Sequence, residues 1–289
     1  MTVPLPLTVV MITLNEAHNM EAVLKNLEGW AEHVIVVDSY SKDQTVDIAL
    51  AHGAQVIQRR FKGFGDQWNF ALSVPVKTPW IMKLDPDERL TDSLREAIKD
   101  AIERGQETGF SFDRRLWFMG KPMPILRPVT RLWRTGSTTF SDVLVNEHPI
   151  VEGPVRHLTG ELEHHDSPNL HHWYAKQNAY GTSEALTRFR NANLAAKPRL
   201  FGTSLERRMW LKRNFWRVPG RYQVLFWYHI LIAGAWRAGR TGWVWSKLRT
   251  EHLRSQEFKL LEMQMQGSEY ILPASGHGEP HPDVEQAEE

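Results

Sequence analysis

Three short apolar runs decide the fold of this chain: LTVVMIT at residues 7–13, HVIVVD at residues 33–38 and WIMKL at residues 80–84. Each run is continuous and lacks the apolar–polar alternation of a half-exposed strand. Such runs are typical of strands that are buried on both faces of a parallel sheet. A fourth short strand is predicted at residues 55–59.

Helical patterns fill the intervals between these strands. Apolar residues recur at three- and four-residue spacing over residues 19–29, and further helices are predicted at residues 44–52 and 65–73. A fourth helix is predicted at residues 92–104, because Gly105 follows it and glycine often ends a helix. Strands that alternate with helices predict an open, mostly parallel α/β sheet with helices on both faces.

The composition excludes several classes of protein. The chain has 289 residues and no cysteine, which excludes a disulfide scaffold, a thiolate zinc site and a cysteine nucleophile. Its apolar content of 42% is that of a globular protein, and its net charge of +1 argues against a nucleic-acid partner. The apolar N-terminal stretch lacks the basic start and cleavage site of a signal peptide, so we interpret it as a strand.

The residue pattern divides the chain into four regions. Residues 1–105 carry the strand–helix alternation. In the second region, residues 106–190, aromatic and β-branched runs from residue 109 to about residue 165 predict mixed or antiparallel strands, and a helical pattern begins at residue 170. Residues 191–265 are basic, rich in tryptophan and predicted to be helical. Residues 266–289 are acidic and rich in glycine and proline, which favours a flexible tail.

An acidic motif, Asp85-Pro86-Asp87-Glu88, gives the clearest chemical signal because it directly follows the strand at residues 80–84. Ligands of open α/β sheets bind beyond the carboxyl ends of the strands. Two carboxylates at such a place suit Mg²⁺ or Mn²⁺, which prefer oxygen ligands and are often shared with substrate phosphates. The alternative is that the motif forms a turn and caps the next helix.

Polar residues also follow the first two predicted strands. Asn15 and Glu16 come after the first strand, and Asp38 closes the second, with Ser41 three residues later. Because the carboxyl ends of parallel strands meet at one edge, these residues predict a nucleotide-sized site there. The alternative for Ser41 and Asp43 is that one of them caps the following helix.

A series of motifs carries a resemblance to a known family. In chain order they are ITLNEAHNM, VIVVDSYSKDQTVDIA, GFGDQWNFAL, WIMKLDPDERL, RLWR and VNEH. The series resembles family 2 glycosyltransferases of the GT-A fold, which is a Rossmann-like α/β fold. Within that family it is most similar to lipopolysaccharide core β-1,4-glucosyltransferases. The resemblance covers residues 7–190 and continues more loosely to residue 260.

The resemblance implies a binding site for a UDP-sugar donor. The donor-binding residues would be Thr13, Asn15, Glu16, Asp38, Ser41, Gln67, Asn69, Asp85, Arg131 and Arg134. Asp38 would form a hydrogen bond with the uracil. Asp85 and Asp87 would hold the ribose and a Mg²⁺ or Mn²⁺ ion on the diphosphate, and Asp87 is the preferred direct ligand of the metal.

Four of these donor-binding residues have an alternative interpretation. Arg131 and Arg134 could neutralise the charge that develops on the diphosphate, since guanidinium groups suit phosphate oxygens. One of the two arginines could equally face solvent. Gln67 and Asn69 fall where family members approach the donor, but they could also be polar residues on the surface of a helix.

An inverting transfer requires a carboxylate that removes the proton from the acceptor hydroxyl. The resemblance assigns this catalytic role to Glu147, in VLVNEHPI, and Asp142 is the second candidate. Relatives commonly have His-Glu here, whereas this chain has Asn146 before the glutamate and His148 after it. The alternative is that Glu147 forms an ion pair with Arg131 or Arg134.

Several histidines raise the question of a zinc site. They are His157, His164, His165, His171 and His172. Adjacent pairs point in different directions and no H-E-x-x-H spacing occurs, so we interpret most of them as surface or core side chains without a metal. The resemblance places His148 and His164 near the acceptor.

Residues 199–259 hold 13 Lys and Arg against three Glu, and six of the twelve Trp. The apolar run at residues 222–236 predicts one helix, which at about 22 Å is too short to cross a hydrocarbon core of roughly 30 Å. Indole rings and cations beside an apolar helix suit the interface of an anionic membrane. The alternative is a helix buried in a C-terminal bundle.

The resemblance and these patterns predict a metal-dependent inverting glycosyltransferase. It would move glucose from a UDP-sugar to a heptose of a lipopolysaccharide inner-core acceptor, as a peripheral protein at the cytoplasmic face of a bacterial inner membrane. Residues 1–105 would bind the donor, residues 106–190 would hold the acceptor and the base, and residues 191–265 would contact the membrane. Two alternatives stay open: a polyprenyl-phosphate or capsule intermediate as the acceptor, and a non-catalytic nucleotide-binding scaffold.

Overall fold

The computed structural model describes residues 3–141, 148–190 and 197–270. The strands in these ranges are β1 (Leu5–Thr13), β2 (Ala31–Asp38), β3 (Gln55–Gln58), β4 (Trp80–Lys83), β5 (Glu88–Leu90), β6 (Gly109–Phe118), β7 (Lys121–Arg134), β8 (Thr138–Phe140), β9 (Pro149–Val151) and β10 (Val155–His165). The α-helices are α1 (Ala17–Leu27), α2 (Thr45–Ala51), α3 (Phe64–Ser73), α4 (Asp92–Arg104), α5 (Leu170–Phe189), α6 (Ser204–Asn214), α7 (Arg221–Trp227) and α8 (Gly239–Gln266).

Eight strands form one sheet in the order β3-β2-β1-β4-β7-β6-β10-β5. The first four strands in this order are parallel, and they are the four strands predicted from the sequence. β7 is antiparallel to β4 and to β6, β10 is parallel to β6, and β5 is antiparallel to β10. The predicted α/β sheet is therefore confirmed, with a parallel first half and a mixed second half.

Both faces of this sheet are covered by helices, as predicted. On β1, Val9 is 0% exposed and Val10 is 1% exposed, although their side chains point to opposite faces. Val9 belongs to a core that includes residues of α1 and α4. Val10 belongs to a second core built around Trp68 of α3, Trp133 and Phe140. Because each face buries apolar side chains, a continuous apolar run is the pattern this strand requires.

The strand register brings several polar chain segments to one edge of the sheet. Thr13 and Asp38 are partners at the carboxyl ends of β1 and β2, and β4 ends nearby at Lys83, which is paired with Val10. The ladder between β5 and β10 then places His164 opposite Glu88. The edge therefore combines the carboxyl ends of the first strands with the end of β10, which is distant in sequence.

The single helix that we predict at residues 222–236 is confirmed only as far as Ile232, and its predicted end at residue 236 is wrong. α7 ends at Trp227, a π-helical turn follows at Tyr228–Ile232, and a 3₁₀ turn occupies Ala235–Ala238. Gly234 separates the two turns with a φ of 77°, a left-handed conformation that glycine adopts readily and that ends a helix. The apolar composition of residues 222–236 does not by itself predict this end of the helix. None of the helices in the described ranges is long and apolar enough to cross a membrane.

Candidate active site

The acidic motif after β4 forms a turn that the buried side chain of Glu88 stabilises. Glu88 is 0% exposed, and its Oε2 accepts a hydrogen bond from the backbone N of Asp85 at 3.0 Å. The backbone N of Glu88 donates to the carbonyl oxygen of Asp85 at 2.9 Å. The cap of α4 is Thr91, whose hydroxyl accepts from the backbone N of Leu94 at 3.3 Å. The alternative prediction for this motif is a turn that caps the next helix. The motif does form a turn, but it does not cap α4.

Arg131 of β7 connects the two carboxylates at the base of this turn. Its Nη2 donates to Oδ2 of Asp85 at 2.7 Å and to Oε1 of Glu88 at 2.6 Å. Burial alone would raise the pKa of Asp85, but the charges of Arg131 and Lys83 outweigh it and hold that pKa below its usual value. Arg131, predicted to contact the diphosphate, is bound here to carboxylates and keeps Asp85 ionised.

A group of three potential metal ligands lies beside the turn. Asp87, His164 and Asp166 each offer one ligand atom, and these atoms all lie within 4.8 Å of one another. Nε2 of His164 is 3.3 Å from Oδ2 of Asp87 and 3.9 Å from Oδ1 of Asp166. The backbone N of His165 donates to the carbonyl oxygen of Asp87 at 2.7 Å, which fixes the turn against β10. Asp85 does not belong to this group.

Lys176 of α5 lies between the two carboxylates of this group. Its Nζ is 3.1 Å from Oδ2 of Asp87 and 3.1 Å from Oδ1 of Asp166. Burial alone would lower the pKa of Lys176, but the two carboxylates outweigh it and hold that pKa well above its usual value. Burial would likewise raise the pKa of Asp87, and His164 and Lys176 outweigh it and hold that pKa well below its usual value. The ammonium group thus occupies a position that attracts cations.

The chemistry of these donors fits a divalent cation. Two carboxylates supply the hard oxygen ligands that Mg²⁺ and Mn²⁺ prefer, and the remaining positions of such ions are usually filled by water and substrate phosphates. The three side chains come from the turn after β4 and from the end of β10. The residues that would hold Mg²⁺ or Mn²⁺ are therefore Asp87, His164 and Asp166.

Asp38, which we predict to contact a uracil, is fully buried and organises the neighbouring loops. Its carboxylate accepts from Thr13 Oγ1 at 2.9 Å, from the backbone N and Oγ of Ser41 at 2.8 and 2.5 Å, and from Gln58 Nε2 at 3.1 Å. A carboxylate offers about four acceptor positions. The predicted contact with uracil would therefore have to replace one of these four hydrogen bonds.

The loop after β1 is bound to the loop after β2. The backbone N of Asn15 donates to Ser41 Oγ at 2.8 Å, and Oδ1 of Asn15 accepts from the backbone N of Lys42 at 2.7 Å. Asn15 has a φ of 55°, a left-handed conformation that asparagine tolerates better than most residues. Burial, followed by the charge of Asp87, raises the pKa of Glu16 to about 7. The structure therefore brings the predicted residues of both loops to the edge that carries Asp87.

Gln67 and Asn69 are not polar residues on a helix surface. Gln67 is 0% exposed, accepts from Arg59 at 2.9 Å and donates to Ser39 Oγ at 3.3 Å. Asn69 donates to the carbonyl oxygen of Phe140 at 3.0 Å and accepts from the backbone N of Phe140 at 2.7 Å. Both amides connect α3 to neighbouring segments, and Asn69 fixes the end of β8.

The structure does not bring Arg134 to this edge. Arg134 is the register partner of Trp80, at the opposite end of β4 from Asp85. Its guanidinium donates to the carbonyl oxygens of Glu107 and Gly105 at 3.1 and 2.5 Å, and it lies 4.6 Å from the centre of the Trp80 ring. These contacts stabilise the amino end of β4, and they are distant from the acidic turn.

The predicted catalytic base, Glu147, and the second candidate, Asp142, lie outside the described residues. The residues on either side of that segment are held together: the backbone N of Ser141 donates to the carbonyl oxygen of His148 at 3.2 Å, and the backbone N of His148 donates to Ser141 Oγ at 3.1 Å. The segment follows Ser141, the neighbour of Phe140 of β8, and the ring centre of Phe140 is 5.4 Å from Nζ of Lys83. Its two attachment points therefore lie on the side of the sheet that carries β8.

Two residues were not identified from the sequence: Asp166, a member of the metal-ligand group, and Lys176, which lies beside the group. Asp166 and Lys176 carry no motif, and His164 was assigned to the acceptor and not to a metal. The expectation that the histidines take no part in a metal site is therefore not supported for His164. A signal was present, because Asp166 follows the His164-His165 pair directly, but Asp87 lies 77 residues before His164 in the chain.

Arginines of β6, β7, α6 and α8 interact with one another beside the site, and one of them, Arg114, forms an ion pair with Glu88 at 3.2 Å. Desolvation, followed by the charges of Arg249, Arg114 and Arg208, lowers the pKa of Arg127 to about 10. Arg114 and Arg127 are also direct register partners on β6 and β7. Like charges at opposed positions in a sheet repel each other. This repulsion favours a region that accepts an anion.

The comparisons with known proteins agree with the geometry. The model of the protein family Glycosyl transferase family 2 matches residues 8–140. This range contains the acidic turn and Arg131. Residues 8–140 are a family 2 glycosyltransferase domain. The resemblance predicted from the motifs is thereby confirmed. His164, Asp166 and Lys176 lie beyond the matched residues of this glycosyltransferase domain.

Two relatives and one solved structure illustrate the similarity. An uncharacterised glycosyltransferase of Rickettsia prowazekii is 29% identical over 191 residues, which are 61% of this chain and 65% of the relative, so the match spans less than two thirds of that protein. The lipopolysaccharide core biosynthesis glycosyltransferase LpsC of Rhizobium meliloti is 26% identical over 252 residues, 83% of this chain and 86% of LpsC. Residues 1–349 of TarS from S. aureus are 15% identical with a TM-score of 0.45, covering 95% of this chain and 99% of that chain.

Proposed function

We propose that this protein is a metal-dependent inverting glycosyltransferase that uses a UDP-sugar. The observation that carries the proposal is the group of Asp87, His164 and Asp166 around the ammonium of Lys176, at the carboxyl edge of a family 2 glycosyltransferase domain. This edge is where open α/β sheets bind nucleotides. A bound Mg²⁺ or Mn²⁺ would supply positive charge that stabilises the leaving diphosphate.

The side chains of the domain would divide the work between donor and acceptor. Asp87, His164 and Asp166 would hold the metal ion, and Arg131 would keep Asp85 ionised and oriented. The loops of Asn15 and Asp38 would border the nucleotide. Glu147 would accept the proton of the acceptor hydroxyl as that oxygen attacks the anomeric carbon from the face opposite the diphosphate.

The proposed donor is UDP-glucose, and the proposed acceptor is a heptose of a lipopolysaccharide inner core. The similarity to LpsC supports an acceptor of this class. The mutual repulsion of the arginines around Arg127 supports an acceptor that carries negative charge. A polyprenyl-phosphate or capsule intermediate is the second candidate, since it is also anionic and linked to a lipid.

A lipid-linked acceptor implies contact with a membrane surface, and we propose peripheral binding at the cytoplasmic face of a bacterial inner membrane. The end of α7 and the turns after it expose large apolar side chains: Trp227 is 55% exposed, Ile232 76% and Trp236 58%. The exposed cations Arg237, in the 3₁₀ turn, and Arg240, at the start of α8, lie nearby in the chain. Indole rings beside cations suit the headgroup region of an anionic membrane.

The test of the proposed function is release of UDP by the purified full-length protein. UDP-glucose with Mn²⁺ and a heptose-containing core acceptor should give acceptor-dependent UDP release, and EDTA should abolish it. Glu147→Gln should lower kcat by about 10²-fold or more, because general base catalysis contributes about 10²–10⁴-fold. Its donor affinity and thermal melt should stay near those of the wild type.

Three results would contradict this proposal. Release of UDP that persists in EDTA would remove the metal requirement. Substantial activity in Glu147→Gln would remove the assignment of the base. Failure of every nucleotide sugar and acceptor to give UDP release, with nucleotide still bound, would instead favour the non-catalytic scaffold.

A further inference from the structure

A cavity of about 480 Å³ lies between α5, α7 and α8. Its lining includes Arg188, Arg221, Tyr222, Arg254, Glu257 and Phe258, and we call it the arginine pocket. Arg188 follows Lys176 by twelve residues on α5, which at 1.5 Å per residue separates the two by about 18 Å along the helix. The arginine pocket is therefore a site apart from the acidic turn.

The charge of the arginine pocket is unbalanced. Its lining contains three arginines and one carboxylate, Glu257. Both oxygens of Glu257 are already engaged, one by Arg221 and the other by the hydroxyl of Tyr222. Arg254 has a looser ion pair with Glu251, at 3.5 Å on the same helix. The lining thus carries an excess of positive charge that Glu257 does not neutralise.

Two guanidinium groups of the lining keep buried N–H groups without an acceptor. Nη1 of Arg188 and Nε of Arg221 are inaccessible to water and have no hydrogen-bond partner among the described residues. The guanidinium of Arg188 is held in place because it stacks 3.8 Å from the centre of the Trp216 ring. Burial lowers the pKa of Arg188, which the charges of Glu257 and Glu184 partly offset. Buried donors without acceptors are unfavourable, so a ligand with acceptor oxygens would be favoured once these side chains turn their N–H groups toward the cavity.

We propose that the arginine pocket binds a phosphate-bearing group. A phosphate monoester carries close to two negative charges and three acceptor oxygens, which match the surplus charge and the unpaired N–H groups. The other wall is apolar and open, since Phe258 is 60% exposed and Leu261 is 49% exposed. This wall would contact the organic part of the ligand, either a lipid or a phosphorylated glycan. The proposal does not depend on the proposed function, because it uses none of the residues of the acidic turn.

The first experiment measures the binding of inorganic phosphate to the full-length protein by calorimetry, in EDTA and at constant ionic strength. Arg188→Gln should weaken phosphate binding by about tenfold or more, because it removes a charged hydrogen-bond donor. Glu257→Gln should tighten it, because it removes the carboxylate of the lining. Arg104→Gln removes one exposed arginine at the end of α4, outside the pocket, and is the matched control, with an affinity within about twofold of the wild type.

Opposite signs for Arg188→Gln and Glu257→Gln separate binding in the pocket from a general loss of folding. Circular dichroism melts identify any variant that does not fold, and Arg188→Lys, which keeps the charge, then replaces Arg188→Gln. The proposal is overturned if the wild type shows no saturable binding of phosphate. It is also overturned if the two folded variants bind phosphate as the wild type does.

A second experiment identifies the source of the phosphate group. Flotation with phosphatidylcholine vesicles, with and without phosphatidic acid, compares the wild type with Arg188→Gln. Weaker binding of the variant only to vesicles that contain phosphatidic acid would support a lipid headgroup. Equal flotation, together with lost binding of glycerol 3-phosphate, would support a soluble or glycan phosphate.

Discussion

Replacing Lys176 by methionine should make the stability of this protein depend on a divalent metal. The ammonium of Lys176 lies 3.1 Å from Asp87 and 3.1 Å from Asp166, and the three side chains are only 22%, 9% and 14% exposed. Its removal leaves two close carboxylates without their cation. Breaking a buried ion pair in this way costs about 3–5 kcal/mol, and the partial exposure of Lys176 places the expectation near the lower end.

The assay is a thermal melt of Lys176→Met and the wild type, in EDTA and in MnCl₂. A loss of about 3 kcal/mol corresponds to a decrease in Tm of roughly 6–12 °C for a domain of this size. Mn²⁺ should restore most of that loss, because the cation binds the carboxylates that Lys176 no longer neutralises and stabilises the folded state by mass action. The metal-dependent rise in Tm should therefore be larger in the variant than in the wild type.

Lys25→Met is the matched control for this prediction. Lys25 forms an ion pair with Glu21 in which both side chains are about 60% exposed, so its loss should change the Tm little in either buffer. The reasoning would be refuted if Mn²⁺ raised the Tm of Lys176→Met no more than that of the wild type. In that case Lys176 would not compete with a metal for the two carboxylates.

Two further predictions concern the packing and the acid stability of the C-terminal region. A Cβ atom at Gly242 would lie 1.8 Å from the carbonyl oxygen of Ala235, so Gly242→Ala should cost about 1–3 kcal/mol or more in a urea unfolding experiment. Gly181→Ala is the control, since its Cβ would meet other atoms only at 3.4 Å or beyond, and an equal loss in both variants would contradict the reasoning. Burial, followed by the charge of Arg249, lowers the pKa of His229 to about 4. As the pH falls, His229 is therefore protonated in the unfolded chain at a higher pH than in the folded protein. This difference lowers the free energy of unfolding by up to about 3 kcal/mol between roughly pH 6.5 and pH 4. The difference in unfolding free energy between the wild type and His229→Asn should change by that amount over this range, and a constant difference would contradict the assignment.

Much of the sheet could be predicted from the sequence because its signals are local. Continuous apolar runs predict the strands at residues 7–13, 33–38 and 80–84. In the structure these strands are neighbours in the sheet. α4 was predicted with its observed ends, since Thr91 caps one end and Gly105 adopts a left-handed conformation at the other. Local periodicity, caps and glycines act within a few residues, so a pattern in the sequence reports them.

The C-terminal region shows where local patterns fail. An apolar run at residues 222–236 predicts one helix, but the helical part ends before the left-handed Gly234, and a 3₁₀ turn that packs closely on Gly242 follows. Packing between α8 and the 3₁₀ turn decides this geometry, and packing involves residues that the run does not contain.

The sequence alone determined the parallel half of the sheet and the position of the acidic turn, because strand burial and the carboxyl-edge rule depend on residues adjacent in the chain. Only the tertiary structure decided which side chains surround Asp87. The pairing of β5 with β10 brings His164 and Asp166 to that turn, and the position of α5 places Lys176 beside Asp87. It also decided that Arg131 lies beside Asp85 while Arg134 lies at the far end of β4. Electrostatic interactions act through space, so a charge far along the chain leaves no local pattern near the residue that it controls.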